Sequence, residues 1–214
     1  MSTPGKSSTL LRGGAVLAAV IALATGYWLS DYLLGRTPDL SGLHATVLSQ
    51  PRDVQPFTLV DHTGKRFDNR ALLGHWSFVF FGYTHCPDVC PTTLSVLNSV
   101  ARKLEGLENQ PRFVFISIDP ERDTPEKLGQ FVSYFNGTFI GATGTDDAIN
   151  ALTRQLGVIY ARVEEKPGTD NYLMDHSASV LLFDPAGRFH AVFTPPLDAT
   201  EIVSDFIIIS NSYE

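Results

Sequence analysis

Cysteine is nearly absent from this chain: two residues, Cys86 and Cys90, stand among 214. That excludes a small secreted scaffold stapled by disulfides. Charge is sparse as well, at 18% of residues, and no run of Lys and Arg occurs. With a formal net charge of −7, the chain lacks the clustered cations that neutralise phosphates, so nucleic-acid binding is excluded. No glycine period, internal repeat or low-complexity segment is present. A hydrophobic content of 43% rules out a disordered chain, and with no heptad pattern neither a collagen nor a coiled coil is indicated.

Gly13 to Ser30 carries no charge, and its apolar character continues to Leu34, interrupted by Asp31. Eighteen helical residues reach about 27 Å, close to a bilayer core. Lys6 and Arg12 precede the segment, no acid does, and Tyr27, Trp28 and Tyr32 gather at its far end. This pattern predicts a cytoplasmic leader over 1–12, a single-pass transmembrane anchor over 13–34, and the remainder outside. The leader lacks the Arg-rich pattern of a transit peptide, so the expected location is a bacterial inner membrane with the C-terminal domain in the periplasm. A cleaved signal peptide ending at Ala22-Leu23-Ala24 is the competing reading; the apolar residues beyond Ala24 weigh against it.

Residues 35–50, broken by Gly35, Pro38, Ser41 and Gly42, read as a linker. The stretch 51–214 then suits one globular domain. Phe57 to Val60 suggests a strand, and the unbroken apolar runs Trp76–Tyr83 and Arg112–Ile118 read as buried central strands. Helices are expected from Pro91 to Leu104, from Thr124-Pro125 to Phe135, from Thr145 through Leu156, and from Asp198 to Ser210. Phe139–Ala142 is a short strand, and Ser179–Phe183 with Arg188–Phe193 forms a hairpin. The resulting order gives an α/β domain with a mixed sheet and helices on both faces. Cysteines directly after the first core strand make the layout thioredoxin-like, which by itself constrains function little.

Cys86 and Cys90 sit between a buried strand and a helix start, in Gly82-Tyr83-Thr84-His85-Cys86-Pro87-Asp88-Val89-Cys90-Pro91. Free amides and the helix dipole stabilise anions there, so both thiols are expected to favour the thiolate. Their spacing exceeds Cys-x-x-Cys by one residue. Four apart in regular helix, Cβ atoms lie ~5–6 Å from each other, whereas a disulfide needs ~3.5–4.5 Å. A disulfide therefore requires a non-helical loop, which Pro87 favours, while a metal bridging two sulfurs tolerates the wider gap. Two buried, inert cysteines would not need flanking prolines at a strand end.

Two thiolates leave a metal site incomplete, and imidazole is the natural third donor. His44 lies in the linker, His62 in a turn, His75 before the first core strand and His190 on the hairpin; His85 adjoins Cys86 without needing to point the same way. His176, in Asp175-His176-Ser177-Ala178, precedes a strand whose start can lie beside the cysteine loop, and ranks first by a small margin. Structural zinc normally closes with four ligands. Two soft sulfurs with one imidazole suit copper, Cu(I) above all.

Three motifs together resemble the Sco/SenC copper-binding proteins that assist cytochrome c oxidase assembly: GYTHCPDVCP, Ser117-Ile118-Asp119-Pro120-Glu121-Arg122-Asp123-Thr124-Pro125, and Asp175-His176-Ser177-Ala178. The resemblance covers residues 45 to 210. It implies a thioredoxin-like domain holding one copper ion per chain, as Cu(I) or Cu(II), through Cys86, Cys90 and His176. Asp88 and Asp175 are candidates for places beside the ligands, and Asp88 suits a helix N-terminus equally well. It implies delivery of copper to the dinuclear copper site of oxidase subunit II, with a copper donor chaperone and a thiol reductant as further partners. A redox disulfide between Cys86 and Cys90, and a reductase role toward the subunit's cysteines, form the alternative. The stretch Asp119 to Glu126 reads first as a loop that caps a helix and second as a docking surface. A peroxiredoxin-like peroxidase, faintly echoed by Val89-Cys90-Pro91-Thr92-Thr93, is the weakest reading. The metallochaperone, a binding protein without turnover, accounts best for the extra residue between the cysteines and for the candidate histidine.

Overall fold

The computed structural model describes residues 7–34, 42–107, 110–164 and 172–213, with side chains of the first segment described over 15–30. It separates into two units, Met1–Asp39 and Leu40–Glu214. The first is helix α1 (Ser7–Leu34). Its described side chains, among them Val20, Ile21, Leu23 and Trp28, are all exposed. Among the described residues no helix is long and apolar enough to cross a membrane. Residues 1–6 of the expected leader, residues 35–41 of the expected linker, and the side chains at both ends of the expected anchor lie outside the described residues.

The second unit is built on an eight-stranded mixed sheet of order β1-β10-β9-β4-β5-β6-β2-β3. Its strands are β1 (Thr46–Arg52), β2 (Thr58–Asp61), β3 (Arg66–Asp68), β4 (Ser77–Gly82), β5 (Arg112–Ser117), β6 (Ile140–Thr143), β9 (Val180–Phe183) and β10 (Phe189–Phe193). Strands β4, β5 and β6 run parallel, and β9 and β10 extend the sheet antiparallel from β4. Every residue of β4 is buried, as its unbroken apolar run requires of a strand covered on both faces.

Pleating divides that run between two layers. Phe78 and Phe80 face Phe113 and Phe115 of β5, and Phe206 of α5 (Ala199–Asn211) and Phe131 of α3 (Pro125–Phe135) complete the aromatic layer. Val79 and Ile116 face the other way, toward Leu152 and Leu156 of α4 (Asp146–Leu156) and toward Phe57, Phe67 and Phe183. Helix α2 (Val89–Lys103) buries Cys90, Leu94, Leu97 and Val100. Thr124 and Thr145 cap α3 and α4 by accepting hydrogen bonds from the amides of Lys127 and Ala148, as threonine at a helix start does.

The linker expectation needs correction. The chain enters the sheet at Thr46, which pairs with Val192 of β10, and the Ala45 amide donates to the buried Asp205 carboxylate at 2.7 Å. A half-exposed edge strand has weak alternation and so leaves little trace in the sequence. The same holds for β7 (Tyr160–Glu164), which pairs with β8 (Tyr172–His176) in an unexpected two-stranded sheet; β8 alternates in burial, but its exposed Leu173 masks this in the sequence, and the three residues of β3 are too few to show a period. His176 is thus the last residue of a strand, paired with Tyr160.

Candidate metal centre

Parallel strands β4 and β5 end side by side at Gly82 and Ser117, and the loops that leave them build the site. From Gly82 the chain turns through Tyr83 and Cys86, whose amide donates to the Tyr83 carbonyl at 3.3 Å, and enters α2 at Val89. Cys86 lies in the non-helical turn and is half-buried; Cys90 lies in the first helical turn and is wholly buried. Both are free thiols. The extra residue between them therefore bridges a turn and a helix start, the geometry that a close approach of two sulfurs needs.

Asp123 holds that turn in place. Its carboxylate, fully buried, accepts the Thr84 amide at 2.9 Å, the Thr84 hydroxyl at 2.5 Å and the Ser117 hydroxyl at 2.6 Å. The acidic stretch after β5 does contain a helix cap, at Thr124, but Asp123 turns inward and ties the cysteine loop to the end of β5.

Three donor atoms converge, the sulfurs of Cys86 and Cys90 and a ring nitrogen of His176, all within 4.8 Å of one another. Among the described residues this is the only such group of His, Cys, Asp and Glu side chains. His176 Nε2 lies 3.4 Å from the Cys90 sulfur, and Nδ1 lies 3.1 Å from the Ser177 carbonyl. A carbonyl only accepts, so the ring proton sits on Nδ1 and the Nε2 lone pair is presented to the sulfurs. The ring is held by Phe80, at 5.9 Å between centroids, and by Tyr83, edge-on at 6.0 Å.

The expectation that both thiols favour the thiolate holds for one of them. The Cys90 thiol donates to the Cys86 sulfur, and the amides of Cys90 and Asp88 reinforce it, so the Cys86 thiol titrates far below its ordinary value despite burial. The Cys90 thiol moves the opposite way, because it holds the shared proton for Cys86 and because it is buried. Two thiolates this close repel each other in a poorly solvated site; a metal cation relieves that repulsion and displaces the proton.

The other sequence candidates lie elsewhere. His44 pairs with Glu201 at 3.2 Å, His62 accepts the Gly141 amide, His190 packs against Trp76, and His75 is exposed. His85 sits against the Thr84 hydroxyl at 3.2 Å and the Asp123 carboxylate at 3.8 Å and is not one of the converging donors. Asp88 precedes α2 without capping it by its side chain; it reaches the site through its backbone amide, on Cys86. Asp175 is exposed on β8, and neighbouring strand positions face opposite sides, so it does not share the direction of His176.

Gly82 is a site residue that the sequence analysis missed. A Cβ there would stand 2.7 Å from the Cys90 sulfur and 2.9 Å from the Phe115 ring. The only available signal was a glycine closing an otherwise apolar strand, which marks close approach. Gly82→Ala is expected to cost about 1–3 kcal/mol by overpacking and to push the Cys90 sulfur outward. Thiol-reagent labelling of the native protein reads this: Cys90 becomes faster to react. Unchanged labelling would show that Phe115 alone absorbs the methyl group.

The SCO1/SenC family model matches residues 46–208. The chain is 38% identical over 151 residues to the SCO2-like protein of Rickettsia prowazekii, spanning 71% of this chain and 74% of the relative. With the SCO2-like protein of Rickettsia typhi it shares 32% over 196 residues, 92% of this chain and 96% of that one. Among solved structures it is similar to Arabidopsis thaliana ScoI with copper bound, at a TM-score of 0.70 and 34% identity, covering 75% of this chain and 99% of that one. Bradyrhizobium japonicum ScoI with copper bound gives a TM-score of 0.65 and 36% identity over 72% of this chain and 97% of that one. With the family model spanning most of the chain and the thioredoxin-like fold shared with these structures, the protein belongs to the SCO1/SenC family.

Proposed function

We propose that this protein is a copper metallochaperone: it carries one copper ion on Cys86, Cys90 and His176 and supplies it to the dinuclear copper site of cytochrome c oxidase subunit II. The convergence of these three donors within 4.8 Å carries the reading. Two sulfurs favour Cu(I), and the imidazole adds a donor that Cu(II) prefers. The copper-bound state of the similar ScoI structures supports this choice of metal. Copper is cargo here: the chain's residues hold it, keep it from bulk water, and release it to a partner with competing thiolates. A copper donor and a thiol reductant are the remaining partners, since an oxidised cysteine pair has no thiolates to offer.

A second reading rests on the unequal thiols, one partly exposed and low in pKa, the other buried and high. In this reading the Cys86 thiolate attacks a disulfide of the partner and releases one partner thiolate. Cys90, losing its proton, then attacks the mixed disulfide. Cys86 and Cys90 end oxidised as a disulfide, and the partner's pair ends reduced. His176 is incidental to that reaction and essential to copper binding.

Copper titration of the reduced full chain separates the two. One copper per chain is expected, lost in Cys86→Ala and Cys90→Ala. His176→Ala should weaken Cu(II) binding by more than the ~10–100-fold of a change beyond the ligands, and disulfide formation should survive. Full copper occupancy without both cysteines would refute the site.

The location proposed is a bacterial inner membrane, with residues 13–34 as an uncleaved anchor and the copper domain in the periplasm. The uncharged stretch from Gly13 to Ser30 and the basic leader support it. The full-length protein should stay with membranes through a carbonate wash, with its domain digestible from the outer side. A soluble mature form beginning at Thr25 would contradict the anchor.

A further inference from the structure

His176 does not belong to the eight-stranded sheet. It ends β8, whose ladder partner is β7 alone, whereas Cys86 and Cys90 stand on the β4–α2 connection. Something must register one sheet against the other for the imidazole to meet the sulfurs. At the opposite end of β8, Tyr172 is buried. Its ring lies between two guanidinium groups, that of Arg122 at 3.5 Å on one side and that of Arg162 from β7 at 3.7 Å. Its hydroxyl donates to Asp119 at 2.6 Å.

Arg122 is the part of this stack that touches both the β7–β8 pair and the cysteine loop. Its Nε pairs with Asp119, and its Nη1 donates to the Tyr172 carbonyl at 3.0 Å. Its guanidinium also lies 5.7 Å from the centre of the Tyr83 ring, the same ring that meets His176 edge-on. Asp123, the next residue, holds the cysteine loop through Thr84. Arg162 closes the outer side by pairing with Glu121 at 3.1 Å. One loop, 119–123, therefore grips β8 through Arg122 and the cysteine turn through Asp123.

We propose that Arg122 is a positioning residue for the copper site: stacked on Tyr172 and forked onto its carbonyl, it sets the distance of His176 from the cysteine pair. The inference rests on the assignment of Cys86, Cys90 and His176 as copper ligands. The planar guanidinium is what the position requires, because it stacks on the ring and donates in its own plane at once; a lysine ammonium keeps the charge and loses both. Loosening Arg122 leaves the two sulfurs where they are and lets the imidazole drift. Cu(I), satisfied by thiolates, is then barely affected, and Cu(II) loses its nitrogen donor.

The test compares wild type, Arg122→Lys, His176→Ala and the double variant as reduced full-length protein, each titrated with Cu(I) and with Cu(II). Arg122→Lys should weaken Cu(II) binding by ~10–100-fold, the range for residues that orient a ligand. Cu(I) binding should change by less than about threefold. In the His176→Ala background, Arg122→Lys should add nothing beyond about twofold, since the residue acts through the imidazole. Without copper, amides 172–176 should exchange with solvent faster in Arg122→Lys while those of β4 and β5 keep their protection. Tyr172→Phe, which removes only the hydroxyl bonded to Asp119, repeats the comparison with the ring stack kept, and a smaller loss of the same Cu(II)-selective kind is expected. Equal losses of Cu(I) and Cu(II), an additive loss in the double variant, or unchanged exchange at 172–176 would each overturn the inference. Wild-type affinity in His176→Ala would instead overturn the ligand assignment beneath it.

Discussion

The Asp123 carboxylate is the constraint around which the site is organised. A buried anion is costly unless hydrogen bonds replace its water. Three donors do so, two from Thr84 and one from Ser117. Satisfying the charge fixes the turn that follows β4, and with it the point at which Cys86 leaves the strand and α2 begins. Gly82 permits the next contact, because the Cys90 sulfur occupies the space a side chain there would take. The donor group is thus the product of one electrostatic demand and one steric absence, both at the ends of parallel strands. Loops at the carboxyl ends of such strands are where α/β sheets place their chemistry.

Within that frame the thiols divide a single proton. The half-buried Cys86 thiol titrates below its ordinary value and the buried Cys90 thiol above it, each because of the other. His176 has Nδ1 tied to the Ser177 carbonyl, which leaves Nε2 facing the sulfurs as the donor atom. A cation entering the group meets one thiolate already formed, displaces the remaining proton and gains the imidazole. The same asymmetry gives the disulfide chemistry an attacking and a resolving thiol, so metal carriage and thiol exchange draw on one arrangement and compete for the same sulfurs.

Much of this was legible in the residues. The apolar runs at Trp76–Tyr83 and Arg112–Ile118 became β4 and β5, and the hairpin near Asp184 became β9 and β10. Cys86 and Cys90 announced themselves by isolation and by their flanking prolines. His176 was different: 86 residues separate it from Cys90, and no local pattern encodes a meeting at that range. Family resemblance supplied it where spacing supplied little more than a ranking. The strands β1 and β7 escaped because exposed edge strands lack the alternation that a buried face imposes; β8 alternates in burial, but its exposed Leu173 between the buried Tyr172 and Met174 hides the period in the sequence. The inward turn of Asp123 escaped for a related reason, since side-chain direction in a loop follows no period and its neighbour Thr124 fully satisfied the expectation of a helix cap. The shared proton was out of reach of sequence altogether, as it depends on how close the two sulfurs lie.

The central claim is that one copper ion per chain sits on two sulfurs and one imidazole. X-ray absorption at the copper edge tests it most directly, on the full-length protein loaded with one equivalent. The account predicts two sulfur scatterers and one imidazole nitrogen in the first shell, with the nitrogen missing and the sulfurs retained in His176→Ala. A shell of nitrogen and oxygen alone, or an imidazole signal that persists in His176→Ala, would contradict it.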